Sequence, residues 1–172
     1  QEFHTKTVHQ GYIEPQSSTA LWASDGRITV WTSTQGSFGI RASTAATLGV
    51  PESTVKVIPM EIGGGFGGKN GSYLDSVAAI LSRKTGHPVK IVMSRKEVFE
   101  GTGPTSGAYL RTKIGADKSG KITAAECVLA YEAGAFPGSP VVGGLTGGLG
   151  PYKIDNLQID GYDVVCNKQK TA

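Results

Sequence analysis

Cysteine is scarce in this sequence, where Cys127 and Cys166 are the only two among 172 residues. They do not have the short, repeated spacing of a metal site. Each lies in an apolar, strand-like stretch, where a cysteine acts as a small hydrophobic residue. No apolar run approaches the roughly 18 residues of a membrane span, and nothing resembles a signal peptide. These absences predict a cytoplasmic protein that has no contact with a membrane.

An excess of charge of one sign is also missing. The 17 lysines and arginines nearly balance the 14 acidic residues, so that the net charge is +3. The charges are spread along the chain and form no basic patch of the kind that binds nucleic acid. We therefore expect no nucleic acid among the partners.

The chain also lacks an initiator methionine, and it stops at Lys170-Thr171-Ala172 without a helix cap or a polar tail. We expect residues 1–172 to be a single partial domain that has been cut from a longer protein.

Glycine, by contrast, is abundant. The chain has 25 glycines, about twice the usual share of ~7%. They cluster in residues 63–71 and 134–150. Clustered glycine indicates a backbone that turns sharply or closely approaches another group.

The hydrophobic pattern predicts alternating strands and helices in the first half of the chain. Period-two and helical-period segments follow one another, with strands at 27–33, 55–60 and 89–93 and helices at 38–48 and 73–85. Ser72 is the expected N-cap of the second helix, with Asp75 as its capping-box partner. The order is therefore β-α-β-α-β, for which parallel strands joined by right-handed crossovers are expected.

Apolar stripes predict which face of each helix is buried. The first helix has such a stripe at Phe38, Ala42, Ala45 and Leu48. The second has one at Leu74, Val77, Ala78 and Leu81.

The second half is rich in β-formers, and we treat residues 107–172 as a β-rich tail. Segments 108–116 and 121–131 predict a hairpin, with Gly120 at the turn position that requires a positive φ, and 156–165 predicts a further strand. The fold class is therefore α+β, or mixed α/β, with a β-α-β-α-β core followed by a β-hairpin and further strands.

The glycine-rich loop 63–71 lies between the second predicted strand and the second predicted helix. Its first eight residues read Gly63-Gly64-Gly65-Phe66-Gly67-Gly68-Lys69-Asn70. Such a backbone leaves N–H groups uncovered near a helix N-terminus, which suits anionic or oxo ligands. The run also matches a P-loop, except that Asn70 replaces the Ser or Thr that holds Mg²⁺.

A second alternative is a Rossmann-like domain that binds NADP. Gly63, Gly65 and Gly68 satisfy the dinucleotide-binding pattern GxGxxG within residues 63–68, and Arg95, just beyond the next strand, could meet a 2′-phosphate. The pattern has little specificity by itself.

A resemblance covers nearly the whole chain. The sequence resembles the molybdopterin-binding large subunit of molybdenum hydroxylases of the xanthine oxidase and aldehyde oxidoreductase type. The similar segments are Gly63–Lys69, His9–Gln16, Trp31–Gly36, Leu48–Pro51 and Lys84–Val89.

This resemblance implies a set of cofactor-binding residues. Gln35 matches the glutamine whose side-chain amide bonds to an oxygen on molybdenum, and Phe66 matches the residue whose backbone N–H approaches the metal's oxygen ligands. Gly65, Gly67 and Gly68 would let the chain come close to the cofactor. We expect no side chain of this chain to ligate metal directly.

The resemblance also implies a substrate position. Asn70 stands where purine-oxidising members carry a glutamate that polarises the substrate. The chain is therefore expected to contact a small molecule other than a purine, such as an aldehyde or a less polar N-heterocycle. The family's acid/base glutamate is expected beyond this chain, so no catalytic residue is named within it.

The remaining implications concern the parent enzyme. Its cofactor would be molybdenum-molybdopterin, with the dinucleotide form as one option, and its partners would be 2Fe-2S and FAD subunits or domains and the rest of the large subunit. It would hydroxylate an aldehyde or N-heterocycle with oxygen derived from water. We expect this chain alone to be inactive, and a purely structural fragment without bound cofactor is the remaining alternative.

Overall fold

The computed structural model describes residues 1–172 and has the predicted mixed α/β composition. The elements in chain order are β1 Glu2–Thr5, β2 Ser17–Trp22, β3 Ile28–Thr32, α1 Ser37–Leu48, a 3-10 turn at Glu52–Thr54, β4 Val55–Pro59, α2 Asp75–Thr85, β5 Val89–Val92, α3 Arg95–Gly101, β6 Ala108–Ala116, β7 Ile122–Gly134, α4 Val141–Gly147 and β8 Asn156–Val165. No helix is long and apolar enough to span a membrane.

The chain divides into two compact units. One contains Gln1–His9 and Gly103–Thr171, and the other contains Gln10–Thr102 with Ala172. The strand-rich tail therefore shares its unit with the first nine residues, whose strand β1 pairs with β6.

The unit formed by Gln10–Thr102 contains a four-stranded sheet in the order β4-β3-β2-β5. Strands β3 and β4 are parallel and are joined through α1, as predicted. The expectation of an all-parallel core is wrong for β5, which pairs antiparallel with β2. Strand β2 forms a hairpin with β3, and β5 joins the sheet at the other edge of β2 instead of beside β4.

The core of this unit is made largely of small side chains. It is formed by Ala20, Ile28, Val30, Ala45, Val55, Ala78 and Ala79. Alanines on both helices let the helix backbones lie close to the sheet, and Ser82 on α2 accepts a hydrogen bond from the backbone N–H of Trp22 at 2.9 Å.

The predicted helix faces are partly wrong. In α1, Phe38 is 82% exposed, whereas Ile40 and Thr44 are buried. In α2, Val77 and Leu81 are exposed. The face of α2 that meets the sheet is one residue away and consists of Asp75, Ala78, Ala79 and Ser82. Close packing requires small side chains at these positions, and the hydrophobic pattern alone does not predict which positions those are.

The expected cap of α2 is also different. Leu74 occupies the N-cap position and provides no side-chain cap. The Ser72 hydroxyl instead donates to the Asp75 carboxylate at 2.8 Å. A capping box does exist one helix later, where Ser94 and Glu97 begin α3, a helix that the hydrophobic pattern did not predict.

The second unit contains a sheet in the order β1-β6-β7-β8. The predicted hairpin of β6 and β7 is confirmed, and Gly120 has a φ of 89°. Helix α4 lies within the second glycine cluster, and its Val141 packs against Cys127 and Leu129. A Cβ at Gly161 would lie 2.8 Å from Leu145 of α4, so glycine there permits close packing of the helix on β8.

Candidate functional site

The loop between β4 and α2 is irregular, as predicted, and its backbone is unusual. Gly64 and Gly67 have φ values of 92° and 91°, and Phe66 is the only residue other than glycine with a positive φ, at 49°. A large side chain in this left-handed conformation costs roughly 1–2 kcal/mol. The ring of Phe66 is 71% exposed, and its backbone N–H donates to no protein atom. The loop therefore presents an exposed residue in a strained conformation, whose N–H donates to no other backbone group.

Gln35 holds this loop from the end of β3. Its side-chain oxygen accepts hydrogen bonds from the backbone N–H groups of Gly67 at 3.0 Å and Lys69 at 3.2 Å. Its own backbone N–H donates to the Lys69 carbonyl at 3.0 Å. Because the oxygen is occupied by two donors, the amide NH₂ group is the free end of an exposed side chain. Gln35 thus offers an uncharged donor in a fixed orientation.

Two glycines allow these contacts because a side chain would not fit. A Cβ at Gly65 would lie 2.5 Å from the Gln35 side-chain oxygen, and a Cβ at Gly68 would lie 2.8 Å from the ring of Tyr12. Gly67 has open space around it, so it is required for its positive φ instead.

A partly buried ion pair lies beneath the loop, and no sequence pattern predicted it. The Lys69 side chain is fully buried, and its ammonium lies 2.6 Å from Glu14 Oε2. It also donates to the Ser33 hydroxyl at 2.7 Å and lies 5.2 Å from the centroid of the Tyr12 ring. Glu14 and Lys69 both belong to segments that carry the family resemblance, which was the available signal.

One carboxylate oxygen of Glu14 accepts three hydrogen bonds. Besides Lys69, the Ser33 hydroxyl and the Gly63 backbone N–H each donate to Oε2 at 2.8 Å. Burial acts to raise the pKa of this carboxyl, but the hydrogen bonds from Lys69, Gly63 and Ser33 outweigh burial and hold the pKa below its ordinary value. Glu14 is therefore a structural anion at neutral pH, as expected for a hydrogen-bonded carboxylate.

Asn70 follows the buried lysine and turns outward. Its side-chain NH₂ donates to the Gly67 carbonyl at 3.2 Å, and the residue is exposed. It therefore lies on the same exposed loop as Phe66.

The features required by the dinucleotide alternative do not come together. The strand that follows the glycine loop, β5, is not the neighbour of β4 in the sheet, although a Rossmann fold needs adjacent parallel strands at this point. Arg95 begins α3, where its guanidinium donates to the Ile13 carbonyl and lies over the Phe99 ring.

Comparison with known proteins shows the family to which the chain belongs. The molybdopterin cofactor-binding domain family matches residues 1–172. The nicotinate dehydrogenase large molybdopterin subunit of Eubacterium barkeri is 31% identical over 168 residues, which are 96% of this chain and 40% of that protein. The indole-3-acetaldehyde oxidase of Arabidopsis thaliana is 33% identical over 153 residues, which are 87% of this chain and 12% of that protein.

A solved structure shows the same relationship. Reconstituted CO dehydrogenase from Oligotropha carboxidovorans superposes with a TM-score of 0.76 at 31% identity, covering 100% of this chain and 22% of that chain. The present chain therefore spans well under half the length of each of these relatives. The resemblance to molybdenum hydroxylases is confirmed, and the chain belongs to the molybdopterin cofactor-binding domain family.

Proposed function

We propose that this chain holds a molybdenum-molybdopterin cofactor through Gln35 and the glycine-rich loop. The parent enzyme would hydroxylate an aldehyde or N-heterocycle with oxygen derived from water. The observation that carries this proposal is a pair of donors on exposed residues, the Gln35 NH₂ group and the Phe66 N–H, on a loop held by three hydrogen bonds between Gln35 and residues 67 and 69.

The residues present fit such a group. Neutral N–H donors on an uncovered glycine backbone favour an oxygen-rich, anionic ligand. The chain has no group of three or more His, Cys, Asp or Glu side chains that could hold a metal ion. What it offers the cofactor is therefore hydrogen bonds. When bound, the cofactor would supply the redox and oxygen-transfer chemistry, and the protein supplies placement and electrostatics.

Each loop residue then has a distinct role. Gln35 would orient the cofactor's oxygen ligands through its amide, without adding charge. Phe66 would donate from its backbone N–H, which has no backbone acceptor within the chain. Gly65, Gly67 and Gly68 would let the backbone come close to the cofactor: Gly65 and Gly68 allow the loop to pack against Gln35 and Tyr12, and Gly67 leaves open space on the loop.

The parent would need further parts. We propose 2Fe-2S and FAD subunits or domains as electron acceptors, together with the rest of the large subunit, in the cytoplasm. The acid/base residue would also lie outside this chain. The present chain supplies two of the segments that would clasp the cofactor, those around Gln35 and Phe66. We therefore expect the isolated chain to contain no stoichiometric molybdenum and to oxidise no aldehyde.

The test is metal analysis of the full-length parent with Gln35→Glu. A glutamate keeps an oxygen for the Gly67 and Lys69 amides, but it removes the NH₂ donor and adds a negative charge. We expect about one molybdenum per wild-type large subunit and a marked loss of molybdenum or turnover in the variant. Gln158→Glu, at an exposed position on β8, is the matched control, since it also replaces an NH₂ donor, here bonded to Asp160 at 2.9 Å, with a negative charge, but away from the glycine loop. A wild-type parent without molybdenum would refute the proposed function.

We further propose that Asn70 contributes to substrate choice. Asparagine can donate and accept hydrogen bonds but cannot ionise, so it cannot share a proton with a purine ring as a glutamate can. A charge-assisted hydrogen bond is worth about 1.5–3 kcal/mol, or roughly ten- to a hundredfold in rate. We therefore expect the parent to be poor on xanthine and hypoxanthine and better on aldehydes or less polar N-heterocycles.

The measurement is kcat/KM for xanthine and for an aromatic aldehyde, in wild type and in Asn70→Glu. We expect the substitution to change the ranking of the two substrates more than the molybdenum content. Efficient xanthine turnover by the wild type would contradict this role for Asn70.

A further inference from the structure

The Lys69 ammonium is an unusual group to find beneath a cofactor loop. Its side chain is fully buried, whereas the neighbouring Phe66 and Asn70 are exposed. Burying a charged pair usually gives little net stability, because loss of hydration offsets the attraction between the charges. An apolar side chain could fill the same space, so stability alone does not explain an ammonium here.

The contacts of Lys69 extend in two directions. Its side chain reaches Glu14 and Ser33 at 2.6 and 2.7 Å. Its backbone carbonyl accepts from the Thr34 hydroxyl at 3.1 Å and from the backbone of Gln35, and its N–H donates to the Gln35 side chain. One residue therefore joins the segment before β2, the end of β3 and the glycine loop.

Glu14 holds the other end of the loop, at Gly63. Its carboxylate accepts from the Gly63 N–H, and its own N–H donates to the Gly63 carbonyl at 3.2 Å. The loop is thus tied to the same ion pair at its first residue, Gly63, and near its last, Lys69. Because the loop is held at both ends, its position relative to the end of β3 is fixed. Its glycines alone would leave the backbone free to adopt other conformations.

We propose that Lys69 and Glu14 are positioning residues for the cofactor site. Their ion pair, together with the Ser33 hydroxyl that bonds to both, keeps the loop within hydrogen-bonding distance of Gln35. It thereby sets the direction of the Gln35 NH₂ group and of the Phe66 N–H. This inference rests on the proposed function for its ligand, but the ordering of the loop itself does not depend on a cofactor.

The experiment uses the full-length parent enzyme with Lys69→Met, Ser33→Ala and the double variant Lys69→Met/Glu14→Gln. Lys69→Met alone leaves a carboxylate without its cation and can fail to fold. The double variant leaves no unpaired charge, and Ser33→Ala removes one hydroxyl only. Lys56→Met, at an exposed position on β4, is the control.

The first readout is hydrogen exchange of the 63–70 peptide in cofactor-free protein. We expect faster exchange at Gly67 and Lys69 in the folded variants, because the bonds to Gln35 loosen, and no change in Lys56→Met. Wild-type exchange in both Ser33→Ala and the double variant would overturn the inference, whether or not the wild-type parent contains molybdenum.

The second readout is the molybdenum content and the Mo(V) electron paramagnetic resonance spectrum. Groups that support a metal site from outside typically contribute 10–100-fold in affinity or activity, so we expect a loss of about that size in the double variant. We also expect an altered spectrum from the metal that remains. A spectrum and content equal to wild type in the folded double variant would refute a positioning role. Absence of molybdenum from the wild type would refute the proposed function instead.

Discussion

Gly65→Ala offers a direct test of the contact between the glycine loop and Gln35. Gly65 has no positive φ, so its backbone conformation is open to alanine. The added Cβ, however, would lie 2.5 Å from the Gln35 side-chain oxygen and 2.7 Å from its Cδ. The flexible end of Gln35 must therefore move away, and it must release the N–H groups of Gly67 and Lys69.

The size of the effect follows from these two bonds. Each hydrogen bond contributes about 0.5–1.5 kcal/mol net, so that losing both costs about 1–3 kcal/mol. Alanine also lowers the conformational entropy of the unfolded chain, which stabilises the folded protein by about 0.4–1 kcal/mol. We expect a net loss of up to about 2.6 kcal/mol, or a fall in Tm of up to roughly 10 °C for a protein of this size.

The assay is urea unfolding of Gly65→Ala, Gln35→Ala and the double variant. In the Gln35→Ala background the clash and the two hydrogen bonds are already gone, so Gly65→Ala should be neutral or slightly stabilising. The double-mutant cycle should therefore give a coupling of about 1–3 kcal/mol. Gly39→Ala is the control, since Gly39 lies exposed on α1 with open space around a Cβ, and alanine should stabilise the helix by about 0.5–1 kcal/mol.

Two results would refute this reasoning. One is a loss of stability from Gly65→Ala that is equal in the wild-type and Gln35→Ala backgrounds, since the cost would then arise elsewhere. The other is a Gly65→Ala protein that is more stable than wild type by the full amount, about 0.4–1 kcal/mol, expected from the unfolded chain, since no contact with Gln35 would then have been lost.

Two further predictions concern pH and nucleotide binding. Because the pKa of Glu14 is lowered in the folded protein, its stabilising contribution is present above the unfolded-state pKa of about 4.3 and is lost as pH falls through the lower folded-state pKa. Glu14→Gln should therefore lose less stability than wild type in urea unfolding when the pH falls from about 6 to about 3, a range that brackets the unfolded-state pKa, and equal losses would contradict the role of the ion pair. Calorimetry should detect no NADPH binding by the chain, since β5 is not beside β4 and Arg95 is engaged with Ile13. A Kd on the order of 10⁻⁶ M that is lost in Arg95→Ala would instead support the dinucleotide alternative.

The order of elements in the first half was predictable because it depends on local patterns. Period-two segments became β3, β4 and β5, helical-period segments became α1 and α2, and the glycine-rich run became the loop before α2. The positive φ of Gly120 was predictable for the same reason, since a short turn of this kind requires it.

The helix faces were less predictable, because the sequence pattern ranks residues by hydrophobicity whereas the sheet selects them by size. Phe38 is the most apolar candidate in α1, yet it is exposed. Ala78 and Ala79 are buried because a small side chain lets α2 approach β2 closely. Helix α3 was missed because seven residues are too few for a clear periodic stripe, although Ser94 and Glu97 carried a capping signal.

For the site, the sequence by itself identified the family, through motifs that are contiguous in the chain, and it offered Gln35 and the 63–68 loop as candidates. Only the tertiary structure decided that the Gln35 oxygen holds Gly67 and Lys69, and that Lys69 is buried against Glu14. Glu14 and Lys69 are 55 residues apart, and no local pattern relates two such positions. Their pairing depends on where β2 and β3 place the two segments, because a buried charge is stable only where the fold brings its partner within bonding distance.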